Sequence, residues 1–258
     1  MRRLFGLYVL MQLVVGFSYA QVKVIAHRGF WDTDGSAQNS LSSIGKADSI
    51  GAFGSEFDVW MTQEGSLFVN HDRFFKWTDM LHSSDARIRK IKLDNGEPLP
   101  SLEQYLDYAR RYTSLRLVLE LKSLTTHERE KKAVCKIAQL LKQYGLLERT
   151  DLIAFSLNAC RAFKTYLPHT KVYYLNGDLA PHQVKTIGLT GIDYSGRVLK
   201  RHPEWVQQAH NLGLEVNVWT VNKLSDMKYF IGLGVDYITT DRPVVLQQLI
   251  SSLYIGTE

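Results

Sequence analysis

Two carboxylate side chains stand two residues apart in the stretch SEFDVW, residues 55–60, which has the composition of a buried β-strand. Residues two apart on a strand share one face, so Glu56 and Asp58 are predicted to lie side by side. In a sheet covered on both faces, neighbouring carboxylates cost several kcal/mol unless a cation neutralises them. The pair predicts a divalent metal site; the alternative is a solvent-exposed strand end where each acid pairs with a surface lysine.

A third carboxylate favours the metal site. Glu120 and Lys122 end the stretch LVLELK and again share one face of a predicted strand, and the stretch VKVIA runs directly into His27 and Arg28. Because catalytic groups of a parallel barrel gather at the carboxyl ends of its strands, we expect all these side chains at one rim. Oxygen ligands without thiols or an HxxH pattern favour Ca²⁺ or Mg²⁺ over zinc.

A second histidine is brought to the same rim by a predicted hairpin. The strand-like stretch SLFVNHD, residues 66–72, follows the strand 55–60 after only a short turn. A parallel crossover needs about a dozen residues or more, so this stretch is predicted to fold back antiparallel. The pairing lays His71 roughly opposite Phe57, beside the two acids of the preceding strand.

Strand-like and helical patterns alternate along the chain, as in a parallel sheet covered by helices. We predict a closed (β/α)8 TIM barrel with the extra hairpin strand after the second barrel strand; a doubly wound open sheet is the alternative. Residues 21–258 form one domain in this interpretation. The predicted barrel strands are 22–27, 55–60, 115–121, 151–157, 171–175, 191–195, 215–221 and 235–240.

These motifs together resemble the glycerophosphodiester phosphodiesterases, members of the phospholipase C-like phosphodiesterase barrels. The resemblance covers nearly the whole chain after residue 20, and its motifs occur in the family's order. They are AHRG at 26–29, QNS at 38–40, EFDVWMTQEGSLFVNHD at 56–72, LPSLEQYL at 99–106, LELK at 119–122, VNVWTVN at 216–222 and GVDYITTDRP at 234–243.

The resemblance implies metal-dependent hydrolysis of glycerophosphodiesters, which are deacylated phospholipids, to glycerol 3-phosphate and an alcohol. It also implies a short insertion over the active site, here residues 73–100, which we expect to act as a lid. The implied roles are metal ligation by Glu56, Asp58 and Glu120, general acid–base catalysis by His27 and His71, phosphate contact by Arg28 and Lys122, and a pocket border at Trp219.

The chain departs from the family at one motif. Where the family usually has Glu-Asn-Thr, this sequence has Gln38, Asn39 and Ser40. Glutamine keeps the size and hydrogen bonding of glutamate but loses its charge. We expect the chemistry to survive, with a change in metal affinity, ligand orientation or pH optimum.

Other polar and aromatic residues are predicted to have structural roles. Asp241 and Arg242 end the last predicted strand, where a barrel-closing salt bridge or a helix cap is favoured over catalysis. Ser156 has no GxSxG motif around it and is not a predicted nucleophile. The aromatic residues of the stretch FFKW, residues 74–77, are predicted to pack the insertion against the barrel rather than bind an apolar or choline-like group.

Composition excludes some functions and suggests a location. The chain has a formal net charge of +5, but its basic residues are scattered and form no tract interleaved with aromatics, so we expect no nucleic-acid partner. Residues 1–20 combine two arginines, an apolar run and the stretch SYA, which offers small residues at the cleavage positions. This pattern predicts a cleaved signal peptide, a periplasmic or extracellular enzyme and no stable membrane anchor. Cys135 and Cys160 show no metal-ligand spacing, and the sequence leaves open both their pairing and the oligomeric state.

Two alternative functions remain. The same barrel could carry a phospholipase D-like or lysophospholipid-cleaving enzyme, which would need a larger apolar mouth. A catalytically impaired binding protein is the other alternative, suggested by Gln38.

Overall fold

The computed structural model describes residues 21–254, so the predicted signal peptide lies outside the described residues. Eight parallel strands form a closed ring in the order β1, β11, β10, β9, β8, β7, β6, β2, and β1 pairs with β2 to close it. The described strands are β1 (Lys23–Ala26), β2 (Gly54–Met61), β3 (Leu67–Val69), β4 (Phe74–Phe75), β5 (Thr78–Asp79), β6 (Arg116–Leu121), β7 (Thr150–Ala154), β8 (Lys171–Tyr174), β9 (Gly191–Ser195), β10 (Glu215–Trp219) and β11 (Tyr237–Thr240). This closure confirms the predicted (β/α)8 barrel and excludes the open sheet.

Helices cover the barrel and connect its strands. The described helices are α1 (Leu41–Ser49), α2 (Asp85–Ile88), α3 (Leu102–Tyr112), α4 (His127–Gln143), α5 (Leu157–Tyr166), α6 (Pro181–Ile187), α7 (Gly196–Arg201), α8 (Glu204–Asn211), α9 (Leu224–Leu233) and α10 (Pro243–Tyr254). Serine side chains begin several of them: Ser101 forms a capping box with Gln104, and Ser156 accepts a hydrogen bond from the Ala159 amide. Within the described residues, no helix is both long enough and apolar enough to cross a membrane.

The predicted extra strand is present outside the ring. β3 runs antiparallel to β2, with Val69 opposite Val59, and the Asn70 amide donates a hydrogen bond to the Asp58 carbonyl oxygen at 3.0 Å. The antiparallel register therefore continues to the residue before His71, which brings this histidine back to the carboxyl end of β2.

Residues 73–100 pack against β2 and β3 through a small apolar cluster separate from the main core. This segment contains the β4–β5 hairpin and the short helix α2, and Met80 and Ile88 pack with Trp60 of β2 and Phe68 of β3. Phe75 joins this cluster, as the packing role requires. The same prediction is wrong for Phe74 and Trp77, whose side chains are 66% and 98% exposed at the hairpin.

The two thiols do not form a disulfide. Cys135 lies on α4 and Cys160 lies buried on α5, and both are free. Burial raises the pKa of the Cys160 thiol to about 12, which keeps it protonated and unreactive.

Gly29 follows β1 in a conformation that explains the residue type. Its φ is +78°, and a Cβ there would lie 2.3 Å from the Ser43 Oγ and 2.7 Å from the Ser43 backbone carbon. The chain after His27 and Arg28 therefore passes so close to α1 that only glycine fits.

We predict that Gly29→Ala lowers the free energy of unfolding by about 1–3 kcal/mol more than Gly35→Ala. Gly35 also has a positive φ, +67°, but nothing lies within 4 Å of its missing Cβ, so it controls for backbone strain alone. Thermal unfolding of the two variants measures the difference. Equal midpoints would contradict the close approach to α1.

Candidate active site

Three carboxylates meet at the carboxyl ends of neighbouring strands. The register pairs Asp58 of β2 with Glu120 of β6, and Glu56 lies two residues before Asp58 on the same face. One oxygen from each side chain lies within 4.8 Å of the others. The structure therefore brings together the three side chains that the sequence predicts as metal ligands.

These carboxylates are buried, and Glu56 Oε1 has no hydrogen-bond partner, while Asp58 Oδ1 and Glu120 Oε1 meet the same ammonium group, that of Lys122. Buried polar atoms are nearly always satisfied in folded proteins, so an unpaired oxygen among three buried carboxylates that share one ammonium points to a ligand. Carboxylate oxygens in this number are typical of a hard divalent cation.

Burial and mutual repulsion set the pKa values of these acids. Burial, followed by repulsion from the other two carboxylates, raises the pKa of Glu56 well above its ordinary value. Burial also raises the pKa of Glu120, to about 7, against the attraction of Lys122. For Asp58, burial is outweighed by Lys122, His71 and Arg28, which together lower its pKa to about 2.

Lys122 lies between two of the acids. Its Nζ is 2.8 Å from Asp58 Oδ1 and 2.9 Å from Glu120 Oε1. Burial opposes the charged ammonium, but the two carboxylates outweigh burial and raise the pKa of Lys122. This lysine therefore stays charged within the cluster.

Arg28 is the second cation and has a strained backbone, with φ at +56°. Its amide donates a hydrogen bond to Glu56 Oε2 at 3.0 Å, and its Nη1 donates to Gln38 Oε1 at 2.6 Å. The glutamine that replaces the family glutamate thus still accepts a hydrogen bond from the guanidinium. Asp58 Oδ2 lies 3.7 Å from Arg28 Nε.

Asn39 holds Asp58 in place, a contact that the sequence indicated only through the QNS motif. The Asn39 side-chain amide donates to Asp58 Oδ2 at 2.9 Å, and the Asp58 backbone amide donates to Asn39 Oδ1 at 3.1 Å. Asn39 also has a positive φ, +60°, a region that asparagine tolerates better than most residues. The reciprocal pair fixes the orientation of the Asp58 carboxylate.

His27 is held by Asp241, an acid for which the sequence predicted a structural role rather than a catalytic one. Its Nδ1 lies 2.7 Å from Asp241 Oδ1, and its Nε2 lies 3.9 Å from Glu56 Oε2. Asp241 also accepts hydrogen bonds from Trp31 and Asn222. The contact does join the first and last barrel strands, as the salt-bridge prediction requires, but it does so through the predicted catalytic histidine. Although burial opposes the charge, these partners lower the pKa of Asp241 to about 2.

His71 is more exposed and is held differently. Its Nδ1 lies 2.7 Å from Asp72 Oδ1, and its backbone carbonyl accepts a hydrogen bond from Trp60 Nε1. Burial, with the cations Lys122 and Arg28, lowers the pKa of His71 despite the attraction of Asp58. This imidazole therefore faces the same charges as the carboxylate cluster.

One cavity of about 100 Å³ is lined by all the predicted site residues except Asp58. Its charged side is lined by His27, Arg28, Glu56, His71, Glu120 and Lys122. Trp219 also lines the cavity; its Nε1 donates a hydrogen bond to the Asp193 carbonyl oxygen, and its ring meets Phe155 edge-on. A larger cleft, of about 590 Å³, adjoins at His71 and lies between residues 31–39 and residues 70–94.

A parallel barrel with this charged cavity at its strand ends is typical of an enzyme. The chain belongs to the glycerophosphoryl diester phosphodiesterase family, whose sequence profile matches residues 27–245. The family predicted from the motifs is confirmed, and the protein is a phosphodiester hydrolase.

Several relatives support this assignment along almost the whole chain. A glycerophosphodiester phosphodiesterase from Parabacteroides distasonis, known from a crystal structure, is 44% identical in sequence to this chain. The two structures match with a TM-score of 0.89 over 91% of this chain and 98% of that one. A glycerophosphodiester phosphodiesterase from Caldanaerobacter subterraneus is 26% identical over 88% of this chain and 97% of its own length. A phosphodiesterase from Oleispira antarctica, in complex with the product sn-glycerol-3-phosphate, shares the fold at 21% identity and a TM-score of 0.76, over 89% of this chain and 96% of that one.

The raised pKa of Glu120 predicts how stability without added metal depends on pH. Between its ordinary value of 4.5 and about 7, the folded state keeps a proton that the unfolded state has lost, so stability falls as the pH rises. Glu120→Gln removes this titration. As the pH rises from 5 to 8, we therefore expect the thermal unfolding midpoint of the variant to fall by less than the midpoint of the wild type.

Thermal unfolding from pH 5 to pH 8 in chelator measures this difference, which should be a few degrees. Glu148→Gln, an exposed carboxylate before β7 at the other end of the barrel, serves as the control and should follow the wild type. Parallel curves for Glu120→Gln and the wild type would refute the prediction.

Proposed function

We propose that this enzyme hydrolyses glycerophosphodiesters to glycerol 3-phosphate and an alcohol, using a divalent metal ion and two histidines. The observation that carries the proposal is the cluster of three buried carboxylates, one with an unpaired oxygen, at the cavity that Glu56, Glu120 and both histidines line. A buried acid cluster facing two imidazoles suits phosphoryl chemistry, in which negative charge must be neutralised and protons moved.

The proposed metal ligands are Glu56, Asp58 and Glu120. Lys122 and Arg28 supply two positive charges against three carboxylates, which leaves a deficit that a divalent cation would offset. The all-oxygen donor set favours Ca²⁺ or Mg²⁺. When bound, such an ion would withdraw charge from a phosphate oxygen and make the phosphorus more open to attack.

Arg28 and Lys122 are proposed to hold the phosphate. Both cations line the cavity and are already ordered by acidic or amide partners, so little reorganisation is needed when the anionic diester enters. Their charges would also stabilise the extra negative charge that develops on the non-bridging oxygens. The bond from Arg28 to Gln38 supports a working site over an impaired binding protein.

His27 is proposed as the general base and His71 as the general acid. Asp241 holds Nδ1 of His27, which leaves Nε2 facing the carboxylate cluster and free to take a proton from the attacking oxygen. His71 lines both the cavity and the adjoining cleft, where it can protonate the departing alkoxide. The leaving alcohol would then point into an open cleft, so we expect weak discrimination among alcohols.

Export and lysolipid cleavage are secondary proposals. We propose that residues 1–20 direct the enzyme to the periplasm or the exterior, on the basis of their composition alone. A lysophospholipid substrate gains some support from the exposed Phe74 and Trp77, which could contact an acyl chain.

The proposed reaction predicts loss of activity on metal removal and on mutation of the base. Release of glycerol 3-phosphate from a panel of glycerophosphodiesters should stop in chelator and return with Ca²⁺ or Mg²⁺. His27→Ala should lower kcat/KM by about 10²–10⁴-fold, as expected for loss of one proton-transfer group.

Controls separate this reaction from its alternatives. His182→Ala, an exposed histidine of α6, should leave kcat/KM unchanged. Activity that persists in chelator would overturn the metal requirement. A panel without turnover, together with cleavage of a lysophospholipid, would favour the lysolipid alternative.

Asp241 is predicted to position His27. Asp241→Asn should lower kcat by about 10–100-fold with little change in KM, because substrate contacts remain while the imidazole loses its orienting carboxylate. Asp236→Asn is a matched control, since Asp236 holds His210 at 3.0 Å in a similar pair outside the cavity. A change in KM alone for Asp241→Asn would contradict the positioning role.

A further inference from the structure

Asp193 is a buried acid in the catalytic cavity that the proposed mechanism does not use. It lies in the middle of β9, it is one of the residues that line the cavity, and it is only 2% exposed. Its Oδ1 is buried without a hydrogen-bond partner. A lone buried carboxyl oxygen is costly, and its position beside the reacting groups suggests that a bound molecule satisfies it.

The neighbours of Asp193 leave one of its carboxyl oxygens, Oδ1, available. Asn217 lies opposite Asp193 on β10, but its amide exchanges hydrogen bonds with the Thr239 hydroxyl of β11. Burial raises the pKa of Asp193 to about 8 against the lowering effect of a side-chain hydrogen bond from Asn217, and repulsion from Glu120 and Asp151 adds to the rise. A neutral carboxyl group at pH 7 can donate one hydrogen bond and accept another.

The rest of this wall is mostly apolar. Ile153, Phe155, Leu175 and Trp219 line it, with hydroxyl groups from Thr220 and Thr239. A small apolar surface with a few convergent polar groups is suited to a short carbon chain that carries hydroxyls. The proposed phosphate-binding cations, Arg28 and Lys122, line the same cavity.

We infer that Asp193 is a specificity-determining residue that binds the terminal hydroxyl of the substrate's glycerol group. With the phosphate held at Arg28 and Lys122, the three glycerol carbons extend toward this wall, and the departing alcohol faces the cleft at His71. The backbone of Asp193 also accepts the hydrogen bond from Trp219 Nε1, so one residue fixes both the polar and the aromatic part of the wall. The inference rests on the proposed function and adds the recognition of the glycerol hydroxyl.

Two substrates test this recognition. Glycerophosphocholine is compared with 2-hydroxypropyl phosphocholine, which keeps the phosphate, the leaving group and the inner hydroxyl but lacks the terminal hydroxyl. The wild type should prefer the glycerol compound in kcat/KM by about 10–100-fold, because the deoxy compound leaves the buried carboxyl unpaired. Asp193→Ala should reduce this preference to about twofold or less, and Asp193→Asn should keep part of it.

A matched control addresses the structural role of a buried acid. Asp151 is also buried and faces the barrel interior, where Arg116 holds it at 2.6 and 2.7 Å, but it does not line the catalytic cavity. Asp151→Asn should lower the thermal midpoint and leave the substrate preference unchanged. An unchanged preference in Asp193→Ala, with or without equal losses for both substrates, overturns the inference.

A further test uses the wild type alone, so it does not depend on whether any variant folds. Inhibition by glycerol 3-phosphate should be about tenfold stronger than inhibition by 2-hydroxypropyl phosphate, and equal inhibition overturns the inference. Failure of the proposed function gives a different result, namely no release of glycerol 3-phosphate from any diester by the wild type. Release without a preference for the terminal hydroxyl removes the role of Asp193 alone.

Discussion

Three carboxylates are held close together inside the barrel, where little water can screen their mutual repulsion. The surrounding structure is organised to tolerate this repulsion. Lys122 bridges two of the acids, the backbone amide of Arg28 binds the third, and Asn39 holds Asp58 from both ends of its amide. The left-handed backbone at Arg28 and Asn39 is the local cost of bringing these donors to the acids.

Closure of the barrel and placement of the histidines depend on the same contacts. His27 follows the first barrel strand and Asp241 follows the last, so their hydrogen bond joins the two ends of the ring at the cavity. His71 arrives by a different route, since the antiparallel strand β3 returns it to the rim and Trp60 binds its carbonyl. Two imidazoles from separate elements thereby face one cluster of charges.

The cavity has two chemically distinct walls. The charged wall suits a phosphate and a metal ion, whereas the wall with Trp219 and Asp193 suits the carbon chain and its hydroxyls. The adjoining cleft opens between the loop after β1 and the segment 73–100. This division gives each part of a glycerophosphodiester a surface of matching polarity. It also explains why many polar groups lie inside the barrel, although the core between the strands and the helices is apolar.

The sequence alone determined features that depend on local periodicity. Alternation along a strand put Glu56 beside Asp58 and Glu120 beside Lys122, and a turn too short for a crossover specified the hairpin that carries His71. Only the tertiary structure decided which distant groups meet. The pairing of His27 with Asp241 spans 214 residues, and the exposure of Trp77 and the unpaired oxygen of Asp193 depend on packing and ring closure. Periodicity assigns a side chain to a face of its own strand, but contacts across the ring depend on the register of every strand between them and on side-chain rotamers.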